Sequence, residues 1–258
     1  MNEIPFVSLL VEMFSFIGGV SLLVGACWAD LRRGPFEWRL LSEQIYQIGT
    51  RSLPLVVVTA VASGMVMTLQ FGIGLQKFGG IPYIPKLVSL SILREMGPIF
   101  TSLMIAARVG AGIASEVGSM VVTQQVDAMR ALGTSHLQKI VIPRVFATLI
   151  TLPLLTAIAN LIGIFGALMI GRYELNLDPA FFFQKALPAN RIADFVTGFG
   201  KTYFFAFIIA TVSCYYGLSV KEGTKEVGIV TTKAVVTTSI LVLVGDFFLT
   251  KLFWVFER

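Results

Sequence analysis

The 258-residue sequence has few charged residues, one histidine and two cysteines. Asp, Glu, Lys and Arg make up 14% of the chain, whereas ordinary soluble domains contain about 25%. A zinc motif of the H-E-x-x-H type is excluded, and classical Ser-His-Asp or Cys-His catalysis would have to use His136. Cys27 and Cys214 both lie in apolar runs, which favours packing roles over a disulfide framework.

A complete phosphate-binding loop is also missing. The segment Gly198-Phe199-Gly200-Lys201-Thr202 resembles the end of one, but the pattern requires a glycine where Phe195 stands. We therefore predict that this chain is not an enzyme and holds no cofactor of its own. Any ATP and Mg²⁺ would be bound by a partner ATPase.

Apolar residues dominate, at 55% of the chain with 21 phenylalanines. The net charge of +5 does not indicate nucleic-acid binding, because the basic residues mostly flank apolar runs. A bilayer span needs about 20 mostly apolar residues. Five stretches meet this requirement, and they predict an all-α integral membrane protein: Ser52–Gln76, Leu87–Ser115, Val145–Gly171, Thr202–Val220 and Ala234–Phe256.

The N-terminal stretch Ile4–Ala29 is apolar apart from Glu12 and allows two interpretations. It either spans the membrane or lies in the inner leaflet as an embedded elbow. A modest excess of Lys and Arg places the segment that follows it in the cytoplasm. We treat residues 1–258 as one domain, with an N-terminal region at 1–50 and a transmembrane core at 51–258.

Two connections between spans have recognisable helix signals. Asp178-Pro179 predicts an outer helix over Pro179–Leu187, with three phenylalanines at the membrane surface. On the inner side, an apolar stripe predicts an amphipathic cytoplasmic helix over Val117–Leu132. Gly133 would end that helix, and Ser135-x-x-Gln138 would cap the next. The inner helix is either a coupling helix that receives force from a motor or a simple connector.

The second span also carries small residues at every fourth position, which allow helices to approach closely. Three roles remain open for this row: packing within the chain, a dimer seam or a moving gate. Its members are Ala106, Gly110, Ala114 and Gly118.

Charged residues inside spans cost about 2.5–3.5 kcal/mol each on insertion scales, so they require a partner, water or a function. Arg94 and Glu95 precede Gly97-Pro98 in the second span. Lys201 and Asp246 lie in or beside the last two spans. A Lys201–Asp246 pair would either face a polar cavity or be purely structural.

From Leu93 to Gly133 the chain reads LREMGPIFTSLMIAARVGAGIASEVGSMVVTQQVDAMRALG. Together with Pro143-Arg144, Gly217, Gly228 and the segment from Asp246 to Thr250, this closely resembles the MlaE family over residues 40–255. These proteins are permeases of bacterial phospholipid-transport ABC systems that work with MCE-domain proteins. The chain differs from the usual pattern at Gln124, where the family has an acidic residue, and at Ser135-His136.

The resemblance implies an MlaE homodimer in the inner membrane of a Gram-negative bacterium. Each copy would have an elbow and five spans, and phospholipid would bind between the copies. The partners would be a cytoplasmic ATPase, a periplasmic MCE hexamer and, in many such systems, a small STAS-domain protein. The functional charges near the lipid would be Arg94, Glu95, Lys201 and Asp246. The contacts with the ATPase would come from Gln124, Gln125, Asp127 and Arg130.

Two other functions remain open. An intramembrane lipid-modifying enzyme could use Glu95, Glu116 or Asp246. A passive membrane anchor for an MCE complex would tolerate substitution throughout Val117–Leu132.

Overall fold

The computed structural model describes residues 5–32, 37–221 and 223–256, without the side chains of residues 5–10. Within these residues it is helical, with no strand, as predicted. The α-helices are α1 (Pro5–Leu31), α2 (Trp38–Ile48), α3 (Leu53–Gln76), α4 (Ile84–Ser91), α5 (Gly97–Ile105), α6 (Ala111–Val122), α7 (Gln125–Ala131), α8 (Ile142–Tyr173), α9 (Pro179–Ala186), α10 (Ile192–Leu218) and α11 (Gly223–Phe256).

Short helical segments of other types join some of these helices. The 3₁₀ turns Thr50–Ser52 and Ile81–Tyr83 precede α3 and α4. The π-helical segments Ile92–Met96, Ala106–Gly110 and Leu137–Val141 join α4 to α5, α5 to α6, and the α7 turn to α8. Helices α4, α5 and α6 therefore form one continuous helical segment, the second span, which contains two short π-helical stretches.

By length and composition, six helical segments of the described chain could cross a membrane. Five of them correspond to the predicted spans, and the sixth lies in α1. Successive spans run in opposite directions, so α7 and α9 lie at opposite ends of the helix bundle. We call these the α7 end and the α9 end. The six segments are Val11–Leu31, Trp38–Gln76, Ile81–Val122, Leu137–Tyr173, Ile192–Leu218 and Gly223–Phe256.

The last two spans begin about ten residues earlier than predicted. Helix α10 starts at Ile192 and α11 at Gly223, because helical hydrogen bonding continues through residues that hydropathy excludes. Asp194 is one of these residues, and its carboxylate accepts a hydrogen bond from the backbone N–H of Arg191 at 2.7 Å. An apolar window marks the part of a helix that crosses lipid, whereas the helix itself extends further.

Helix α1 lies against the α7 end of the bundle. The Phe16 ring lies 5.6 Å from each of the Tyr215 and Tyr216 rings, in the last turns of α10. At the other end of α1, the Ser135 hydroxyl donates to the Asp30 carboxylate. The stretch between Phe16 and Asp30 is about 21 Å long, yet both of its ends contact the α7 end. This arrangement agrees with the elbow interpretation.

The prediction of one helix over Val117–Leu132 is wrong. Helix α6 ends at Val122, and the separate helix α7 covers Gln125–Ala131. Gln124 has φ 60° in the left-handed region, which breaks the helix between them. The predicted C-cap is confirmed: Gly133 has φ 70°, and the N–H groups of Gly133 and Thr134 donate to the carbonyls of Arg130 and Met129. These two bonds form a Schellman motif.

The outer helix is confirmed as α9, with the Asp178 side chain accepting from the N–H of Phe181 at 3.2 Å. The prediction that three phenylalanines rest at the membrane surface is wrong for Phe182. Its side chain is fully buried in a cluster with Ile84 and Val88. Burying this ring fixes α9 against the end of the second span.

The tightest packing joins α3 to α8. A Cβ atom built on Gly64 would overlap the backbone carbonyl oxygen of Gly163. The two backbones are therefore in direct contact, as small residues permit where hydrophobicity no longer drives helix association.

Candidate functional site

The Lys201 ammonium is the centre of a buried ion cluster. Its Nζ lies 2.6 Å from Glu95 Oε2, 3.0 Å from Asp246 Oδ1 and 2.7 Å from Thr250 Oγ1. The Lys201 side chain is 0% exposed, that of Asp246 12% and that of Glu95 28%. The structure thus brings together three of the four predicted site residues and adds Thr250, whose hydroxyl donates to Glu95 at 3.2 Å.

Three helical segments position this cluster. Asp246 and Thr250 are four residues apart on α11, so they face the same side of that helix. Glu95 comes from the π-helical segment Ile92–Met96, and Lys201 from α10. A Cβ atom on Gly198 would overlap the carbonyl oxygen of Leu93. This close approach of backbones brings the lysine within reach of Glu95.

The fourth contact of Lys201 depends on a proline. Lys201 Nζ donates to the backbone carbonyl of Arg94 at 3.2 Å. In an α-helix this carbonyl would accept from the residue four positions later, which is Pro98 and has no N–H. The proline therefore leaves an acceptor free beside the lysine.

Arg94, the remaining predicted residue, faces a different carboxylate. Its Nε lies 2.5 Å from Asp194 Oδ1, while the second oxygen of Asp194 accepts from the N–H of Arg191 at 2.7 Å. Asp194 is 5% exposed. Asp194 was not predicted as a site residue, although an acidic residue in the first turn of a helix is a usual signal.

A cavity of about 470 Å³ opens beside the cluster. One part of its lining is charged and includes Arg94, Glu95, Asp246 and Lys251. The rest is largely apolar and aromatic, from Leu243, Phe247, Phe253 and Trp254. The site can therefore hold a molecule that has both a charged group and hydrocarbon.

The row of small residues lies inside the chain, against α10 and α11. Its four members, Ala106, Gly110, Ala114 and Gly118, are all buried. A Cβ atom on Gly110 would lie 3.0 Å from Ser213 Oγ. Packing within the chain accounts for the burial of this row.

The four residues predicted to contact an ATPase are exposed on or beside α7, away from the ion cluster. Arg130 Nη1 lies 3.2 Å from Asp127 Oδ1, and Arg130 Nη2 lies 3.3 Å from His136 Nε2. Burial lowers the pKa of His136, and the positive charge of Arg130 lowers it further. Gln124 and Gln125 share this exposed surface.

Of the three acidic residues considered for an enzyme, Glu95 and Asp246 share the ion cluster, whereas Glu116 lies elsewhere. Glu116 lies 2.9 Å from Arg144, about 30 Å along the second span from Glu95. In the part of the chain that the structure describes, no group of three or more His, Cys, Asp or Glu residues could hold a metal ion.

The sequence is similar to those of known membrane permeases. The model of the family described as "Permease MlaE" matches residues 41–252. A probable ABC transporter permease protein of Rickettsia conorii is 38% identical over 244 residues, which cover 95% of this chain and 94% of the relative. A similarly named protein of Synechocystis is 34% identical over 230 residues, or 89% and 88% of the two chains. The Arabidopsis thaliana protein named TRIGALACTOSYLDIACYLGLYCEROL 1, chloroplastic, is 29% identical over 253 residues, or 98% and 72%.

Proposed function

The chain belongs to the MlaE permease family and is a multi-pass transmembrane permease of an ABC transporter, and on this premise we propose that its cargo is phospholipid. An ABC permease works with an ATPase component. That component hydrolyses ATP, for which this chain's sequence has no binding motif. The nature of the cargo follows from the chemistry of the cavity.

The observation that carries the proposal is the buried ion cluster next to an apolar cavity. Moving two acyl chains of ~15 carbons into water costs on the order of 20 kcal/mol, at about 0.8 kcal/mol per CH₂. A lipid carrier must therefore provide an apolar surface for the chains and charged or hydrogen-bonding groups for the head group. Phe247 and Trp254 line the cavity on one side, and Arg94 and Lys251 supply positive charge to its rim.

A second copy of the chain would complete the site. The cavity of about 470 Å³ is not fully enclosed by this chain, and its lining includes Phe247 and Trp254 of α11, which are exposed. A homodimer would enclose the acyl chains between the two copies. One relative, from Arabidopsis thaliana, is named after a galactolipid, which supports lipid as the class of cargo.

The remaining partners follow the family pattern. We place the α7 end in the cytoplasm of a Gram-negative bacterium, where Gln124, Gln125, Asp127 and Arg130 would contact the ATPase. A periplasmic MCE hexamer would receive or deliver lipid at the α9 end. A small STAS-domain protein would bind the ATPase.

Lipid transfer in proteoliposomes tests the proposal. The chain would be reconstituted with its ATPase, and transfer of a fluorescent phospholipid to acceptor vesicles would be followed with and without ATP. We expect transfer to require both proteins and ATP, and to fall sharply for Lys201→Met. Lys233→Met, the same change at an exposed position of α11, is the matched control and should transfer lipid normally.

Other results would support the alternatives. Chemical turnover of lipid by this chain alone would indicate a lipid-modifying enzyme. Lipid transfer that does not depend on ATP and is unaffected by every substitution in α7 would indicate a passive anchor. Either result contradicts the proposal.

A further inference from the structure

A second polar crevice lies between α2 and the second span, on the α7 side of the bundle. Its volume is about 200 Å³. Helix α2 contributes Gln44 and Gln47 to the lining, the 3₁₀ turn Thr50–Ser52 contributes Arg51, and the second span contributes Arg108 and Glu116. This crevice is separate from the cavity beside Lys201.

The crevice holds two arginines, Arg51 and Arg108, that no carboxylate of the described residues contacts. Arg108 Nη1 donates to the Ser52 hydroxyl at 2.5 Å, and that hydroxyl donates to the Ile48 carbonyl at 2.5 Å. Among the described residues, no carboxylate lies within 4.0 Å of the guanidinium of Arg51 or Arg108. Glu116 is already paired with Arg144 at 2.9 Å.

The position of Arg108 makes this charge unusual. It lies inside the predicted span Leu87–Ser115, seven residues before its end, or about 10 Å along the axis. A charged residue inside a span normally pairs with an opposite charge or faces a functional cavity. Arg94, the other arginine of this span, does have a carboxylate partner, in Asp194.

Local backbone geometry provides an independent observation. Arg94 and Arg108 each lie in a π-helical segment, at Ile92–Met96 and Ala106–Gly110. Such interruptions of α-helices are frequently found at functional sites. One of the two lies in the candidate functional site, and the other borders the crevice.

We propose that this crevice binds the phosphate of a glycerophospholipid from the leaflet on the α7 side, through the guanidinium groups of Arg51 and Arg108. Guanidinium groups match phosphate oxygens with paired hydrogen bonds. The side-chain amides of Gln44 and Gln47 can donate further bonds. A membrane lipid is the favoured source of phosphate because the crevice lies along a membrane-spanning segment.

The site goes beyond the proposed function, because the lipid need not be transported to bind there. If phospholipid is also the cargo, the second span would offer one head-group site in each half of the bilayer.

A fluorescence experiment tests the binding directly. In a chain with Cys27→Ala and Cys214→Ala, Thr50→Cys would be labelled with bimane, because Thr50 is exposed and adjoins Arg51 without lining the crevice. The full-length protein would be placed in nanodiscs. A phospholipid with a nitroxide on its head group would then be titrated. We expect saturable quenching, with the half-quenching concentration raised about tenfold by Arg108→Gln, because losing a charge-assisted hydrogen bond costs about 1.5 kcal/mol.

Matched variants keep the test decisive if Arg108→Gln folds poorly. A Cβ atom on Gly112 meets nothing within 4 Å, and this residue also lines the crevice. Gly112→Leu should therefore narrow the crevice and block the lipid, whereas Gly112→Ala should not. Arg39→Gln removes a charge from the exposed part of α2 outside the crevice and should leave quenching unchanged.

Three outcomes would overturn the proposal. A nitroxide diacylglycerol without phosphate could quench equally well, which would show that the phosphate is not recognised. Inorganic phosphate could restore the fluorescence, which would indicate a site for free anions. Quenching could also be insensitive to both Arg108→Gln and Gly112→Leu. Lys201→Met separates this test from the proposed function, since it should abolish transfer and leave quenching of the bimane at Thr50→Cys intact.

Discussion

The two ends of the bundle use charge in opposite ways. Near the α9 end, Lys201 is 0% exposed and contacts two carboxylates. At the α7 end, the Asp127–Arg130 pair is separated by 3.2 Å, but its side chains are 68% and 57% exposed. An exposed pair contributes about 0–1 kcal/mol, whereas breaking a buried pair costs about 3–5 kcal/mol. The buried cluster therefore holds its side chains in one arrangement, whereas the exposed pair is free to change partners.

The largest expected effect comes from removing the buried cation. Lys201→Met leaves the carboxylates of Glu95 and Asp246 close together without a positive charge. We expect a loss of about 3–5 kcal/mol in the free energy of unfolding, together with loss of lipid transfer. Thermal unfolding in detergent measures the first effect and the proteoliposome assay the second.

Two double variants distinguish structural from functional roles. Lys201→Met with Asp246→Asn removes one charge of each sign and should recover part of the lost stability. The exchange Lys201→Asp with Asp246→Lys tests the orientation of the pair. If the exchange restores both folding and transfer, the pair is structural. If Lys201→Met unfolds at the wild-type temperature, the comparison between buried and exposed charge is wrong.

A close contact without charge should have an intermediate effect. Gly64→Ala places a Cβ atom against the Gly163 carbonyl, so α3 and α8 must separate. Overpacking of this kind costs about 1–3 kcal/mol. Gly74→Ala on the same helix is the matched control, because nothing lies within 4 Å of its added Cβ atom. Equal unfolding temperatures for the two variants would contradict the close contact between α3 and α8.

Charge reversal on α7 should barely change stability. For Asp127→Lys or Arg130→Glu, we expect the free energy of unfolding to change by about 0.5 kcal/mol or less. ATP hydrolysis in the reconstituted complex should, however, become uncoupled from lipid transfer. Phosphate release and lipid transfer measured on the same sample test this. A fall in stability with coupling intact would mean that the exposed pair is structural.

Part of this architecture could be predicted from residues close together in sequence. Long, mostly apolar runs located the spans, because contact with lipid demands them. Asp178-Pro179 located α9, and Gly133 the end of α7, because these residues act on their own backbone. The Lys201–Asp246 pair was predicted because a charge in a span needs a partner.

Other features depend on contacts that sequence spacing does not contain. The pairing of Asp194 with Arg94 depends on α10 beginning at Ile192. It also depends on this helix packing against a residue a hundred positions earlier in the chain. Thr250 has a neutral hydroxyl, which is not distinctive inside a span. The break between α6 and α7 depends on Gln124 adopting a left-handed conformation. Nothing in its side chain predicts this, since glycine and asparagine are the usual residues there.

The smallest expected effect concerns His136, which lies beside the exposed pair. Burial and the charge of Arg130 lower its pKa from the usual 6.5, while Asp30 and Asp127 oppose this shift. The folded chain therefore binds fewer protons than the unfolded chain at pH values between the two pKa values. Stability rises with pH in such a window. The contribution of His136 is thus complete above about pH 6.5 and is lost as the pH falls through the folded pKa. The unfolding temperature of the wild type relative to that of His136→Gln, measured from pH 5 to pH 8, should be highest at the alkaline end and should fall as the pH is lowered. A constant difference would mean that the histidine does not titrate with folding.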